Sequence, residues 1–236
     1  MRPRCLPAVL LAMLLAACAA PQPVATAPAA LDPVSSPQWA SDMAAFAAAD
    51  AADPPPAHPV VFTGSSSVRM WKSLAGDFPG VPVLNRGFGG SQVRDAVWYA
   101  DQVAVRYAPR EVVLYAGDND IDAGRTPQQV LADFRAFVAR VRRDLPGVPI
   151  AFISIKPSLA RVGQLPAQRE ANALVRAEAA RMDDVAFIDV ATPMLGADGK
   201  PRPELFGDDG LHMNAAGYAL WRELVAPYLV DDTTPR

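Results

Sequence analysis

From residue 60 onward the chain alternates short, almost purely apolar runs with longer stretches in which apolar residues recur every three or four positions. The runs Val60 to Phe62, Val81 to Leu84, Val112 to Tyr115, Ile150 to Ile155 and Val185 to Val190 are short and mostly β-branched or aromatic, so they predict buried strands. Between them, Val93, Val97, Ala100, Ala104 and Tyr107 keep helical spacing, as do Val130, Phe134, Phe137 and Val141. Strands that are apolar throughout must be covered on both faces, and strand-helix alternation feeds parallel pairing. The pattern therefore predicts an α/β fold, a mostly five-stranded parallel sheet with helices on both sides. Asn214 is placed to cap a last helix presenting Trp221, Leu224 and Tyr228. Trp39, Met43 and Phe46 mark a short helix before Pro54-Pro55-Pro56, read as packing support only.

The first residues break this pattern. Arg2 and Arg4 precede an apolar stretch from Leu6 to Ala17 that is too short to span a membrane, which is the layout of an export signal. Its end, Leu15-Ala16-Ala17-Cys18, resembles the lipobox of bacterial lipoproteins, in which the cysteine becomes the lipid-modified first residue; the alternative is cleavage after a nearby Ala-x-Ala. The expected layout is a signal at 1-17, a lipidated Ala/Pro-rich tether at 18-37 and one folded domain at 38-236, facing the periplasm from the cell envelope. Cys5 and Cys18 are the only cysteines, so processing at Cys18 leaves no disulfide. With 22 basic against 25 acidic residues and no basic run, nothing indicates a nucleic-acid surface.

Four motifs fall in order along the domain: Gly64-Ser65-Ser66-Ser67, Phe88-Gly89-Gly90, Gly117-Asp118-Asn119-Asp120 and Asp209-Gly210-Leu211-His212. The first three each follow a predicted strand, where α/β sheets place their sites. Taken singly they are weak: three serines suit a helix cap, Gly, Asp and Asn suit a turn, Gly-Gly suits a loop needing positive φ, and Asp-x-x-His recurs by accident. Together they hold a hydroxyl nucleophile, a base, an acid to orient it and donors for an oxyanion. Ser66 is the candidate nucleophile, with Ser65 and Ser67 as competitors. His212 is the candidate base, because the other histidine, His58, lies in a Pro-rich approach with no acid beside it. Asp209, three residues before it, is placed to fix its tautomer. Asp120 is read as a brace for the Asn119 loop, not a catalytic group.

The ordered set resembles the SGNH (GDSL-like) hydrolase superfamily over about residues 59-228. The resemblance implies a flavodoxin-like three-layer α/β/α fold and hydrolysis through an acyl-enzyme without metal or organic cofactor. Motif by motif, it assigns Ser66 as nucleophile, Asp209 and His212 as acid and base, and the Ser66 and Gly90 N-H groups with the Asn119 amide as the oxyanion hole. Ser65 stands where the name-giving motif has Asp, which weakens any transfer of substrate preference.

Rival signatures fail. There is no Gly-x-Ser-x-Gly elbow or Walker motif, Gln92 stands where a dinucleotide fingerprint after Gly87-x-Gly89 needs glycine, and two distant histidines do not make a zinc site. The expected activity is a serine esterase acting on short, acetyl-like esters of small molecules or carbohydrates. Lys156, Arg161, Lys200 and Arg202 in the loops 156-166 and 192-208 suggest a polar rim. The alternatives are a lysophospholipase or thioesterase, and a catalytically silent envelope lipoprotein. The oligomeric state is not readable from the sequence.

Overall fold

The computed structural model describes residues 36-230. The predicted signal at 1-17, Cys18 and nearly all of the predicted tether lie outside the described residues. The first described element is a 3-10 turn at Ser36–Trp39. Five strands, β1 Val60–Gly64, β2 Val83–Gly87, β3 Glu111–Tyr115, β4 Ile150–Ile153 and β5 Val185–Ile188, form one sheet in the order β2-β1-β3-β4-β5, every neighbouring pair parallel. The helices of the described residues are α1 Ala40–Ala52, α2 Ser66–Arg69, α3 Leu74–Asp77, α4 Val93–Trp98, α5 Ala100–Val103, α6 Asp118–Asp122, α7 Pro127–Asp144, α8 Leu165–Ala179 and α9 Ala215–Val225. This is the flavodoxin-like strand order, whose direction of growth reverses between β1 and β3.

Side-chain alternation along the strands divides the core. Val60 and Phe62 of β1 and Val113 and Tyr115 of β3 face one layer, where they meet Trp71, Phe78, Trp221 and Val225. Val112 and Leu114 of β3 and Ile150 and Phe152 of β4 face the other, against Phe134, Phe137 and Val141 of α7 and Val175 of α8. Trp71 is the hub of the first layer, with ring centroids 5.8 Å from both Phe62 and Trp221. The second layer rests on α7, whose first turn is fixed by a Thr126/Gln129 capping box with Pro127 behind it.

Three elements depart from the periodicity. The predicted helix through 93-107 is broken into α4, α5 and a 3-10 turn at Val105–Tyr107. A straight helix would send every apolar position to one face, whereas Val93 and Ala96 pack with α7, and Tyr99 and Val103 pack with Trp39 and Phe88. The predicted strand at 81-84 begins later and runs on through Asn85 and Arg86. β2 is an edge strand, so Arg86 can turn outward to pair with Asp50 of α1 beneath the Phe46 and Tyr107 rings. Tyr228 leaves the last helical face because Pro227 ends α9, and it is exposed.

The functional end of the sheet is set by register. Gly64 lies level with Gly87 on one side and Tyr115 on the other, so β2, β1 and β3 finish together. A Cβ at Gly64 would sit 1.8 Å from the Tyr115 carbonyl oxygen, and one at Gly87 would sit 2.3 Å from the Arg69 backbone nitrogen. Gly64 also has φ +119°, which turns the chain sharply out of the sheet. No side chain fits at either place, so the three strand ends and α2 close on one another directly.

At the opposite end of β3, Glu111 is buried and accepts a hydrogen bond from the Val230 N-H at 2.9 Å. Burial pushes its pKa up to about 7, against the smaller opposing effect of that bond. A folded-state pKa above the unfolded value favours folding fully at low pH, and that contribution is lost as pH rises through about 7. From the ordinary 4.5 to about 7 the loss amounts to about 3 kcal/mol. Glu111→Gln keeps the acceptor for Val230 and removes the charge. Its Tm should therefore match wild type within a degree or two near pH 4.5 and exceed it by several degrees at pH 8, as read by calorimetry. Buried Asp120 also has its pKa pushed to about 7, but it is present in both proteins, so the difference isolates Glu111. A constant offset across this range would contradict the assignment.

Candidate active site

The strand-end turn at Gly64 places Ser65 at the N-cap of α2 and Ser66 as its first residue. Ser65 is buried and its N-H is fixed to the Tyr115 carbonyl at 2.9 Å, while Ser67 is buried under Tyr218, whose hydroxyl donates to the Ser67 carbonyl. Ser66 alone of the three faces the opening, and its Oγ lies 2.9 Å from His212 Nε2. The structure thus separates three adjacent serines that sequence leaves as competitors.

His212 arrives from 146 residues further along. Its loop is closed by Gly207 N-H donating to the His212 carbonyl at 2.9 Å and by a bridge between Phe206 and Met213. Asn214 then caps α9 by accepting from the Ala216 and Gly217 N-H groups, as predicted, and its amide also donates to the carbonyls of Glu204 and Phe206. Asp209 Oδ2 lies 2.6 Å from His212 Nδ1, and its Oδ1 accepts the backbone N-H groups of Leu211 and His212 at 2.9 Å. The His212 hydrogen bond, reinforced by those N-H groups, lowers the Asp209 pKa to about 2. The carboxylate therefore stays charged at any pH near neutrality, and a carboxylate accepting at Nδ1 leaves Nε2 as the nitrogen free to take a proton from Ser66.

The donors for an oxyanion come from three neighbouring strand ends, β1 (Ser66), β2 (Gly90) and β3 (Asn119). Among the described residues neither the Ser66 nor the Gly90 N-H has a hydrogen-bond acceptor. Gly90 sits at φ +80° on the loop between β2 and α4. The Asn119 amide is held from both ends. Nδ2 donates to the Ser91 carbonyl at 3.0 Å, and Oδ1 accepts from Arg161 Nη2 at 3.1 Å. A guanidinium only donates, so its partner on Asn119 must be the oxygen, which leaves the second N-H of Nδ2 to point elsewhere.

The supporting residues were mostly misread from sequence. Lys156 was expected on a polar rim, yet it is buried and donates to the Leu211 carbonyl at 2.7 Å, between Asp209 and His212. Burial pulls its pKa below the ordinary lysine value, with Asp118 opposing that shift. Arg161 is not a free rim charge either, since it pairs with Asp118 and Asp122 while holding Asn119. Arg202 pairs with Glu204. One segment behind β4 thus reaches both halves of the site: Lys156 and the Ala160 N-H, which donates to the Gly210 carbonyl, hold the His212 loop, and Arg161 holds Asn119. The predicted loop at 156-166 is also shorter, because a 3-10 turn at Val162–Gln164 leads directly into α8. Asp120 braces the loop as expected, its two oxygens accepting the Val93 N-H at the start of α4. Trp39, read as packing support, does more, since its indole N-H donates to the Gly89 carbonyl at 2.9 Å. Lys156 had no signal in the sequence beyond its place after an apolar strand, where burial of a lysine is the unusual outcome.

Among the described residues no group of three or more His, Cys, Asp or Glu side chains is arranged to hold a metal, and no helix is long and apolar enough to cross a membrane. Among solved structures, a Streptococcus pneumonia protein whose name refers to platelet activating factor is similar with a TM-score of 0.71 at 22% identity, covering 80% of this chain and 92% of that one. A GDSL-like lipase from Bacteroides thetaiotaomicron gives 0.66 at 19% identity, with coverage of 78% and 95%. A carbohydrate esterase family 3 protein from Talaromyces cellulolyticus gives 0.56 at 18%, with coverage of 72% and 94%. At these identities the likeness is one of fold. No curated protein matches the sequence. The model of the GDSL-like Lipase/Acylhydrolase family matches residues 49–220, a span that contains all four motifs, and with it the chain belongs to that family and is a carboxylic ester hydrolase.

Proposed function

We propose that the protein is a serine esterase for short acyl esters of polar alcohols, with Ser66 as nucleophile. The observation that carries this reading is the continuous hydrogen-bonded chain from Ser66 through His212 to Asp209 beside two backbone N-H groups without acceptors. In the first half-reaction Ser66 Oγ bonds to the ester carbonyl carbon while its proton passes to His212 Nε2. Negative charge collects on the former carbonyl oxygen, facing the N-H groups of Ser66 and Gly90 and the Asn119 amide. Asp209 stabilises the imidazolium, which then gives its proton to the departing alcohol as the C-O bond breaks. Water, deprotonated by the same nitrogen, attacks the acyl-Ser66 ester and releases the acid.

The preference for a short acyl group rests on the surroundings of the site. A hollow of about 500 Å³ flanks the His212 loop, walled by Leu159 and Val162 on one side and by Lys200, Arg202, Asp198 and Glu204 on the other. Leu159 and Val162 are the exposed large apolar side chains there, which is little for a long acyl tail. The charged wall suits a hydroxylated alcohol, and one structural neighbour is named a carbohydrate esterase. We further propose that the chain is exported and held to the cell envelope by a lipid on Cys18, on the strength of the Leu15 to Cys18 pattern. Cys18→Ser should then accumulate as uncleaved precursor on immunoblots; normal maturation would remove the lipid-anchor reading.

Ser66→Ala should abolish both turnover of 4-nitrophenyl acetate and labelling by a fluorophosphonate probe, whereas Ser65→Ala and Ser67→Ala should keep the label. Labelling that survives in Ser66→Ala would overturn the nucleophile, and an unlabelled wild type would favour a silent binding protein. Asn119→Ala should lower kcat by about 10²-10³-fold, the ordinary cost of one oxyanion donor. Arg161→Met, which releases the amide and also removes the partner of Asp118 and Asp122, should lower kcat by a smaller factor of about ten with KM little changed, its folding checked by Tm. On acyl length, kcat/KM should fall at least about tenfold from butyryl to dodecanoyl aryl esters, a discrimination near 1.4 kcal/mol. Equal turnover of the longer ester, measured below its micelle concentration, would turn the reading toward a lysophospholipase.

A further inference from the structure

Of the cations that sequence places around the site, Lys156, Arg161 and Arg202 are already engaged, whereas Arg69, which it does not single out, is not. Arg69 lies three residues after Ser66 on α2, and residues so spaced share a helix face. Its guanidinium lies flat against Gly89: a Cβ there would fall 2.6 Å from Arg69 Cζ and 2.7 Å from Nη2. Gly89 has no positive φ, so the backbone does not require glycine at this position; the missing side chain leaves room for the guanidinium. Gly89 is held from its other side by the Trp39 indole and is followed directly by Gly90. Arg69, itself exposed, thus lies against the loop that carries Gly90, three residues along α2 from Ser66.

Its charge is not compensated. Arg86, Arg125, Arg135, Arg140, Arg161 and Arg176 each pair with an acid, whereas among the described residues Arg69 has no acid within ion-pair reach and no hydrogen-bond acceptor. Arg69 also walls a hollow of about 350 Å³ between α1 and α2 that includes Lys72, Asn85 and Phe46 and no Asp or Glu. The Asn85 amide there is already used, bonding the Val68 carbonyl and the Gly87 N-H. The hollow beside the His212 loop differs, since its cations are balanced by Asp198 and Glu204. In a chain of net charge -3, the unbalanced positive charge near Ser66 is local to this side. A guanidinium offers five donors in a fork matched to carboxylate geometry, and one seated without a partner is ready to receive it.

We propose that Arg69 is the specificity-determining residue of an anion subsite, and that the preferred substrates are short esters carrying a carboxylate close to the scissile bond. This rests on the serine-esterase reading and adds the substrate's charge. The carboxylate can belong to the acyl part or to the alcohol part, and the two are separable by experiment. Mono-4-nitrophenyl succinate would be compared with 4-nitrophenyl acetate, and 3-acetoxybenzoate with phenyl acetate, by kcat/KM at low ionic strength. In wild type one anionic ester of the two pairs should exceed its neutral partner by about tenfold or more, and the pair that does so identifies the side. Arg69→Gln should bring that ratio to about one and Arg69→Lys should restore part of it, with folding of both variants checked by Tm and by fluorophosphonate labelling. Lys72→Gln removes a like charge from the turn that follows α2 and should leave most of the preference. Ratios near or below one in wild type, an unchanged ratio in Arg69→Gln, or equal losses in Arg69→Gln and Lys72→Gln would each overturn the subsite while leaving the esterase intact. Failure of all four esters together with absent labelling would instead remove the esterase reading, and this inference with it.

Discussion

Three parallel strands that end at one level are the constraint from which the site follows. Because Gly64, Gly87 and Tyr115 are in register, the loops carrying Ser66, Gly90 and Asn119 leave the sheet side by side. Adjacent parallel strands stand about 4.8 Å apart, so donors on their end loops are spaced on the scale of a carbonyl and its substituents. Close approach is what the glycines secure, since a Cβ at Gly64 or Gly87 would meet backbone. The position is also the switch point of the sheet, where helices on either side of β1 and β3 diverge and leave a crevice.

The fourth strand end contributes no group to the proposed chemistry and holds the rest in place. The segment after β4 sends Lys156 to the Leu211 carbonyl and Arg161 to Asn119 Oδ1, tying the base-bearing loop and the oxyanion amide to one piece of chain. A buried lysine is costly unless its hydrogen bonds and neighbouring charges compensate. Here the Leu211 carbonyl accepts from it, Asp118 favours its charge and the Phe206 ring lies 5.7 Å away. Such an arrangement trades some stability for position. It makes the distance between His212 and Asn119 a property of the β4 end and not of two independent loops.

Most of the fold was legible because its signal is periodic. The five strands, the capped last helix and the parallel arrangement follow from apolar runs and spacing, with errors of one or more residues at the ends of the strands. The chemistry-bearing positions were legible because Ser, His, Asp, Asn and Gly stand in four ordered motifs, each after a strand or before a helix. What sequence did not carry is the destination of long polar side chains. Lys156 and Arg161 both read as surface charges, since four or more rotatable bonds leave the head group's partner unspecified until the tertiary structure exists. Periodicity also failed where one stretch serves two cores, as between Val93 and Tyr107, because apolar spacing reports that a residue is buried and not against what.

Gly89 shows how these two kinds of information meet. In sequence, Gly89-Gly90 is a flexible pair, and a single explanation, tolerance of unusual φ, covers both. In the structure only Gly90 has positive φ. At Gly89, Trp39 holds the carbonyl and the Arg69 guanidinium lies where a side chain would begin. A guanidinium lying there, at the edge of the oxyanion loop, can meet an anionic group of a substrate bound at Ser66. Selection by charge and alignment of the reacting carbonyl would then arise from one contact, which is how binding energy away from the reacting atoms comes to act on rate.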